Sequence, residues 1–144
     1  AYFFDRELVD DPAAQLDEAV RPRVLAGKTV SAQDYLATKR RQQLDKLVMA
    51  NAMDGIDALL TPTTPTPAIR LADVDQMVFP SRFTRFGNFL EMCALSLPNG
   101  FTAGGLPLSL QICCPGYQEA TALRIGWALQ QASDHHLRLP PMVA

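Results

Sequence analysis

The longest stretch free of Gly and Pro, from about Ala32 to Met53, sorts its residues at helical spacing. Leu36, Leu44, Leu47 and Val48 form an apolar stripe. Lys39, Arg40, Arg41, Gln42, Gln43, Asp45 and Lys46 form a polar face. Ser31-Ala32-Gln33-Asp34 resembles a capping box with Asp in place of the usual Glu, and Gly55 marks the stop. The pattern predicts a long helix with its leucine stripe buried and its Lys39-Arg40-Arg41 cluster solvated. Shorter helical signals flank it. Asp11-Pro12 is a helix start, with Leu16, Ala19 and Val20 on one face and a break near Arg21 imposed by Pro22. A further short piece runs to Ala26 and ends at Gly27. A helix from about Phe83 to Ala94 places Phe86, Phe89, Leu90 and Cys93 on one face, with Ser81 at its N-cap position. A last helix, Gln118 to Ser133, has Ala122, Ile125, Leu129 and Ala132 as its core face and Trp127 on a flank.

Strand signals are fewer. Ile56 to Pro62 reads as a short buried strand stopped by proline, and the Thr/Pro stretch to Pro67 as a stiff extended loop. Arg70 to Pro80 reads as further loop. Leu95 to Phe101 and Leu106 to Cys113 are strand-like, joined by a turn at Thr102-Ala103-Gly104-Gly105. Pro98 and Pro107 point to edge positions or bulges. The order of elements predicts an α/β fold with a small mixed sheet, covered by helices and open at its edge.

The chain of 144 residues is 48% hydrophobic, enough for one domain with a real core. A net charge of −2 gives no electrostatic case for nucleic acid or an anionic membrane surface. No apolar run reaches the ~18 residues of a membrane span, and the N-terminus does not read as a signal peptide. The chain starts at Ala1 without an initiator methionine, as expected of a trimmed, excised or cleaved piece. Cys93, Cys113 and Cys114 form an odd set without a C-x-x-C pair, so reduced thiols in a cytoplasmic protein are expected, with no metal site and no cofactor.

A nucleophile with a base is not evident. Ser31 and Ser81 have capping roles, and Ser96 and Ser109 lie within strands. His135 and His136 sit side by side in a polar tail expected at the surface. Lys28, Lys39 and Lys46 show no sign of the burial that lowers a lysine pKa. Cys93 fits an apolar stripe.

Four segments, in order, resemble the amidase-signature family. They are Val30-Ser31-Ala32-Gln33-Asp34-Tyr35 with Arg40-Arg41; Ile56-Asp57-Ala58-Leu59-Leu60-Thr61-Pro62-Thr63; Thr84-Arg85-Phe86-Gly87-Asn88 with Ala94-Leu95-Ser96-Leu97-Pro98-Asn99-Gly100; and Gly105-Leu106-Pro107-Leu108-Ser109-Leu110-Gln111-Ile112. The resemblance covers nearly the whole chain. It implies the C-terminal part of a mixed-sheet α/β/α sandwich, residues 1–144 forming a single C-terminal lobe. It also implies amide hydrolysis by a Ser-Ser-Lys centre that lies upstream of the region matched, since no Gly-Gly-Ser-Ser-Gly-type segment occurs here. No catalytic residue carries over. On the substrate side the resemblance implies Arg21 or Arg23 as a carboxylate partner, against the plainer reading of a surface ion pair with Asp17 or Glu18. Ser81 stands where the amidotransferase relatives have an acid, which favours a general amidase. The resemblance also implies that Thr84, Phe86 and Asn88 line the acyl pocket; read as plain structure, Phe86 is core and Asn88 a satisfied buried amide. The implied partners are the N-terminal catalytic part of the same amidase and a small-molecule amide, with self-association through the open sheet edge. The competing class is a stand-alone α/β binding domain without chemistry; a decayed pseudoenzyme is a third reading.

Overall fold

The computed structural model describes residues 1–75, 78 and 80–139. Its centre is a three-stranded sheet, β1 (Leu59–Pro62), β2 (Cys93–Phe101) and β3 (Pro107–Cys114), in the order β1-β3-β2. Both pairings are antiparallel, with Leu60 and Leu95 opposite Ile112 and with Thr61 and Ser96 opposite Gln111. Alternation of side chains then makes two unlike faces. Leu95, Leu97, Leu110, Ile112 and Cys114 share one; Thr61, Ser96 and Gln111 share the other. Ile112, Cys113 and Cys114 of the central strand are fully buried.

Helix α5 (Glu119–Ala132) lies on the apolar face, where Ala122 and Ile125 meet Ile112 and Cys114. Its closest approach is at Gly126. A Cβ there would fall 2.7 Å from Leu95 Cδ2 and 2.8 Å from Leu97 Cδ1. Leu60, on the same face but on β1, stays half exposed, so α5 does not close the sheet. Ala132, expected in the core, is exposed.

The hairpin turn forms as the glycines predict. Thr102 N–H donates to the Leu106 carbonyl, and Leu106 N–H donates to Thr102 Oγ1. The register shifts between Pro98 and Gly100 on the edge strand, where a missing N–H and an irregular ladder are tolerated. Pro107 instead opens the central strand.

The helix α4 (Arg85–Leu90) is shorter than the sequence suggests. Glu91 adopts a left-handed backbone (φ 58°) and turns the chain directly into β2. Cys93 is therefore a strand residue, not part of a helix stripe. Ser81 does not cap α4 with its side chain. Its carbonyl accepts the Thr84 and Arg85 N–H groups, and its hydroxyl accepts Arg85 Nε at 2.8 Å.

The N-terminal third departs further. Tyr2–Asp10 forms a helix, α1, that the sequence pattern leaves unassigned. Asp11-Pro12 begins a turn rather than a helix, its carboxylate accepting the Ala13 N–H at 2.8 Å. Helix α2 (Val20–Leu25) contains Pro22 instead of breaking there, because Pro22 falls in the first turn, where its N–H is not required. A 3₁₀ turn, Ala26–Thr29, continues through Gly27. Gly27 is not a stop: a Cβ there would lie 2.9 Å from Tyr2 Cβ, so its bareness lets α1 pack closely.

Helix α3 (Ala32–Ala52) has the predicted bounds within a residue, and its cap is in place: Ser31 Oγ accepts the Asp34 N–H at 3.1 Å. Its orientation is the reverse of the expected one. Leu36, Leu44, Leu47 and Val48 are 64%, 52%, 63% and 66% exposed. The side facing the body carries Gln42, Lys46, Met49 and Met53. Gln42 Nε2 donates to the Phe89 carbonyl at 2.7 Å, and Lys46 pairs with Glu91. The C-terminal tail also differs. His135 and His136 are half-buried in a 3₁₀ turn, and the Phe101 ring meets His135 and the Arg138 guanidinium. Residues 140–144 of the expected surface tail, and 76, 77 and 79 of the expected loop, lie outside the described residues.

Gly126→Leu is expected to drive α5 off Leu95 and Leu97. The cost is about 1–3 kcal/mol of overpacking, measured as a lower denaturant midpoint at unchanged slope.

Candidate substrate-side site

The polar face of the sheet is where hydrogen-bonding side chains converge. Gln111 is 4% exposed, and its amide is held by two partners. Nε2 donates to Thr61 Oγ1 at 3.1 Å and to the Phe83 carbonyl at 2.6 Å. Beside this pair, the Thr63 and Ser96 hydroxyls lie 2.8 Å apart. The second Gln111 bond ties the segment just before α4 to the sheet, so Ser81, Thr84, Phe86 and Asn88 are positioned from this face. Ser81, Thr84 and Phe86 are half-buried, and Asn88 is exposed rather than a buried amide. Thr84 Oγ1 donates back to the Ser81 carbonyl at 3.3 Å.

Sequence reasoning does not single out Gln111, Thr61 or Thr63 as site residues and takes Ser96 only as a strand serine. The signal is present: Ser109 and Gln111 alternate with leucines, and Thr61 and Thr63 bracket Pro62. Two runs with polar residues at every second place predict a shared wet face. The register that brings them together belongs to the fold.

Arg21 and Arg23 belong to the N-terminal unit. Arg21 makes no ion pair with Asp17 or Glu18. Its Nη1 donates to the Val9 and Asp11 carbonyls, and its Nη2 donates to the Ala14 carbonyl at 2.7 Å. The Asp17 carboxylate is engaged with the Ala19 N–H. A guanidinium fork suits this task, since the carbonyls between α1 and α2 have no helical partner. Arg23, two residues further along α2, is half-buried.

Chemically, the polar row is neutral. Its hydroxyls and amide bind and orient; none of them is a base near pH 7. Lys28 pairs with Asp10 at 3.1 Å beside the Tyr2 ring, and the Asp10 hydrogen bond raises its pKa. Among the described residues, no group of three His, Cys, Asp or Glu is placed to hold a metal ion. Two open clefts flank the sheet. One of 410 Å³ runs between the Thr/Pro loop and β3, and one of 590 Å³ lies between α3, the end of α4 and the entry to α5. Neither is lined by Arg21, Arg23, Ser81, Thr84, Phe86 or Asn88.

The sequence pattern of the family described as Amidase matches residues 6–123. The chain belongs to the amidase family. Amidase-family relatives include the glutamyl-tRNA(Gln) amidotransferase A-subunit of Synechococcus sp. (strain JA-2-3B'a(2-13)), 38% identical over 75% of this chain and 22% of the relative. The corresponding amidotransferase A-subunit of Desulfatibacillum aliphaticivorans is 32% identical over 84% of this chain and 27% of its own length. The chain thus spans about a quarter of the length of the curated relatives it matches. Among solved structures, the Kluyveromyces lactis allophanate hydrolase superposes with a TM-score of 0.80, at 23% identity, over 94% of this chain and 22% of that one. The Thermotoga maritima glutamyl-tRNA(Gln) amidotransferase A-subunit gives 0.62 at 26% identity, over 85% and 28%. These likenesses confirm the α/β fold expected from the sequence. Among the described residues, no helix is long and apolar enough to cross a membrane.

Two substitutions test the roles assigned by the geometry. Gln111→Leu leaves the Phe83 carbonyl without its donor and is expected to lower stability by about 1–3 kcal/mol in urea unfolding. Arg21→Ala releases three carbonyls at once and is expected to cost a similar amount. Hydrogen exchange should rise in residues 2–25 and stay unchanged in the sheet.

Proposed function

We propose that this chain is the C-terminal, substrate-side part of an amidase that hydrolyses carboxylic amides. In this reading a Ser-Ser-Lys centre outside residues 1–144 breaks the bond, and the chain alone is inactive. The observation that carries the reading is the reversed helix α3. Leu36, Leu44, Leu47 and Val48 point outward while the side carrying Gln42 and Lys46 docks, so four large apolar side chains are left more than half exposed among the described residues. The short span relative to the curated relatives supports the same view, as does the absence of a Gly/Ser-rich serine segment from the sequence.

The substrate assignment rests on the resemblance of these segments to the amidase family. Ser81, Thr84, Phe86 and Asn88 form the acyl side of the site, approached from the polar sheet face. Ser81 replaces the acid of the amidotransferase relatives, which favours a general amide over glutamine. Arg21 or Arg23 is the proposed partner of a substrate carboxylate; Arg21 would have to combine that role with the three backbone carbonyls it serves. A cytoplasmic location fits the free cysteines. Self-association is expected through the β2 edge of the sheet where it stays open.

Complementation tests the proposal. The purified chain is expected to release no ammonia from simple carboxamides. Mixing it with a separately expressed upstream part carrying the serine–lysine centre is expected to restore turnover. Leu44→Asp with Leu47→Asp should abolish that recovery while α3 remains helical by circular dichroism. Turnover by the chain alone overturns the reading. Recovery unaffected by the double substitution removes the leucine stripe from the contact.

A further inference from the structure

The ladder between β2 and β3 sets Cys93 directly opposite Cys114. Directly opposed residues of antiparallel strands have Cα atoms about 4.5–5.5 Å apart, within the roughly 4.4–6.8 Å that a disulfide spans. Both side chains are on the sheet face covered by α5, in one apolar cluster. The Cys93 Sγ reaches across the strand pair to the Cys114 and Pro115 carbonyls, at 3.8 and 3.4 Å. Cys113, next in sequence to Cys114, points to the other face and cannot join them. All three are free thiols in this structure.

The two facing cysteines differ in access. Cys114 is fully buried, whereas Cys93 is half-buried and lines the 590 Å³ cleft together with Met49, Met53 and Met92. A small neutral oxidant entering that cleft meets the Cys93 sulfur first.

We infer that Cys93 and Cys114 are a redox-active cross-strand pair, which a peroxide reaching Cys93 through the cleft converts to a disulfide. The chemistry takes two steps. The Cys93 sulfur attacks one peroxide oxygen and breaks the O–O bond, giving a sulfenic acid and one water. The Cys114 sulfur then attacks the sulfenic sulfur, forming the S–S bond and expelling a second water that takes up the Cys114 proton. Two thiols are oxidised by two electrons in all, and the peroxide is reduced to two waters. Burial, and next the neighbouring Cys93, push the Cys114 thiol up in pKa, so Cys114 acts as the resolving partner rather than the first to react. Closure draws the Cys93 sulfur out of the cleft wall and fixes the start of edge strand β2 to the central strand.

Hydrogen peroxide treatment of the native full chain, followed by intact mass and peptide mapping without reduction, tests this. The expected result is a loss of two hydrogens and a linked peptide pair carrying Cys93 and Cys114. Free thiols fall from the three of the untreated chain to one. A thiol reductant reverses all three changes. Cys113→Ser should retain the link, and Cys93→Ser and Cys114→Ser should each lose it. The wild-type map decides the matter even if a variant folds poorly. Oxygen addition at Cys93 without a linked peptide, a link involving Cys113, or a reducible dimer through Cys93 overturns the inference.

Discussion

Pairing along β3 is the constraint on which the rest of the structure depends. The strand is central, and both neighbours take their register from it. Its inward residues build the cluster on which α5 rests. Its outward Gln111 clamps the segment before α4 through the Phe83 carbonyl. A slip of one residue would exchange these faces, putting Gln111 under α5 and Ile112 in the polar row. The segment with the proposed acyl-side residues and the facing cysteines are therefore fixed by the same set of backbone hydrogen bonds.

Much of this order is legible in the sequence. The two long helices, the hairpin and its turn, and the stop after Pro62 follow from periodicity and from Gly and Pro placement. What stays hidden depends on neighbours. His135 of the tail finds Phe101, a residue more than thirty positions earlier. Pro22 looks like a breaker because its place within the first helical turn depends on where the helix begins. Cys93 suits a helix stripe by spacing, yet Glu91 takes a left-handed turn that no local rule requires. Of the site, the alternation that makes Thr61, Ser96 and Gln111 one face is readable. Their meeting across three strands is not.

The reversal of α3 shows where local reasoning fails. The stripe of leucines is real, and its expected burial rests on the assumption that apolar residues face whatever core is present. In this chain the available body offers the Phe89 carbonyl and the Glu91 carboxylate, and polar side chains answer them. Leu36, Leu44, Leu47 and Val48 are thus left on the side of the helix away from the body. The same feature that defeats the local expectation supports a larger amidase assembly.

The Thr/Pro run after β1 has a further consequence. Pro62, Pro65 and Pro67 remove three amide donors from the seven residues 61–67. A foreign strand seeking to extend the sheet past Leu60 would find a broken row of partners, and the fixed proline angles resist flattening. The open flank of β1 is thereby a poor template for fibril growth, even while its apolar neighbours remain uncovered.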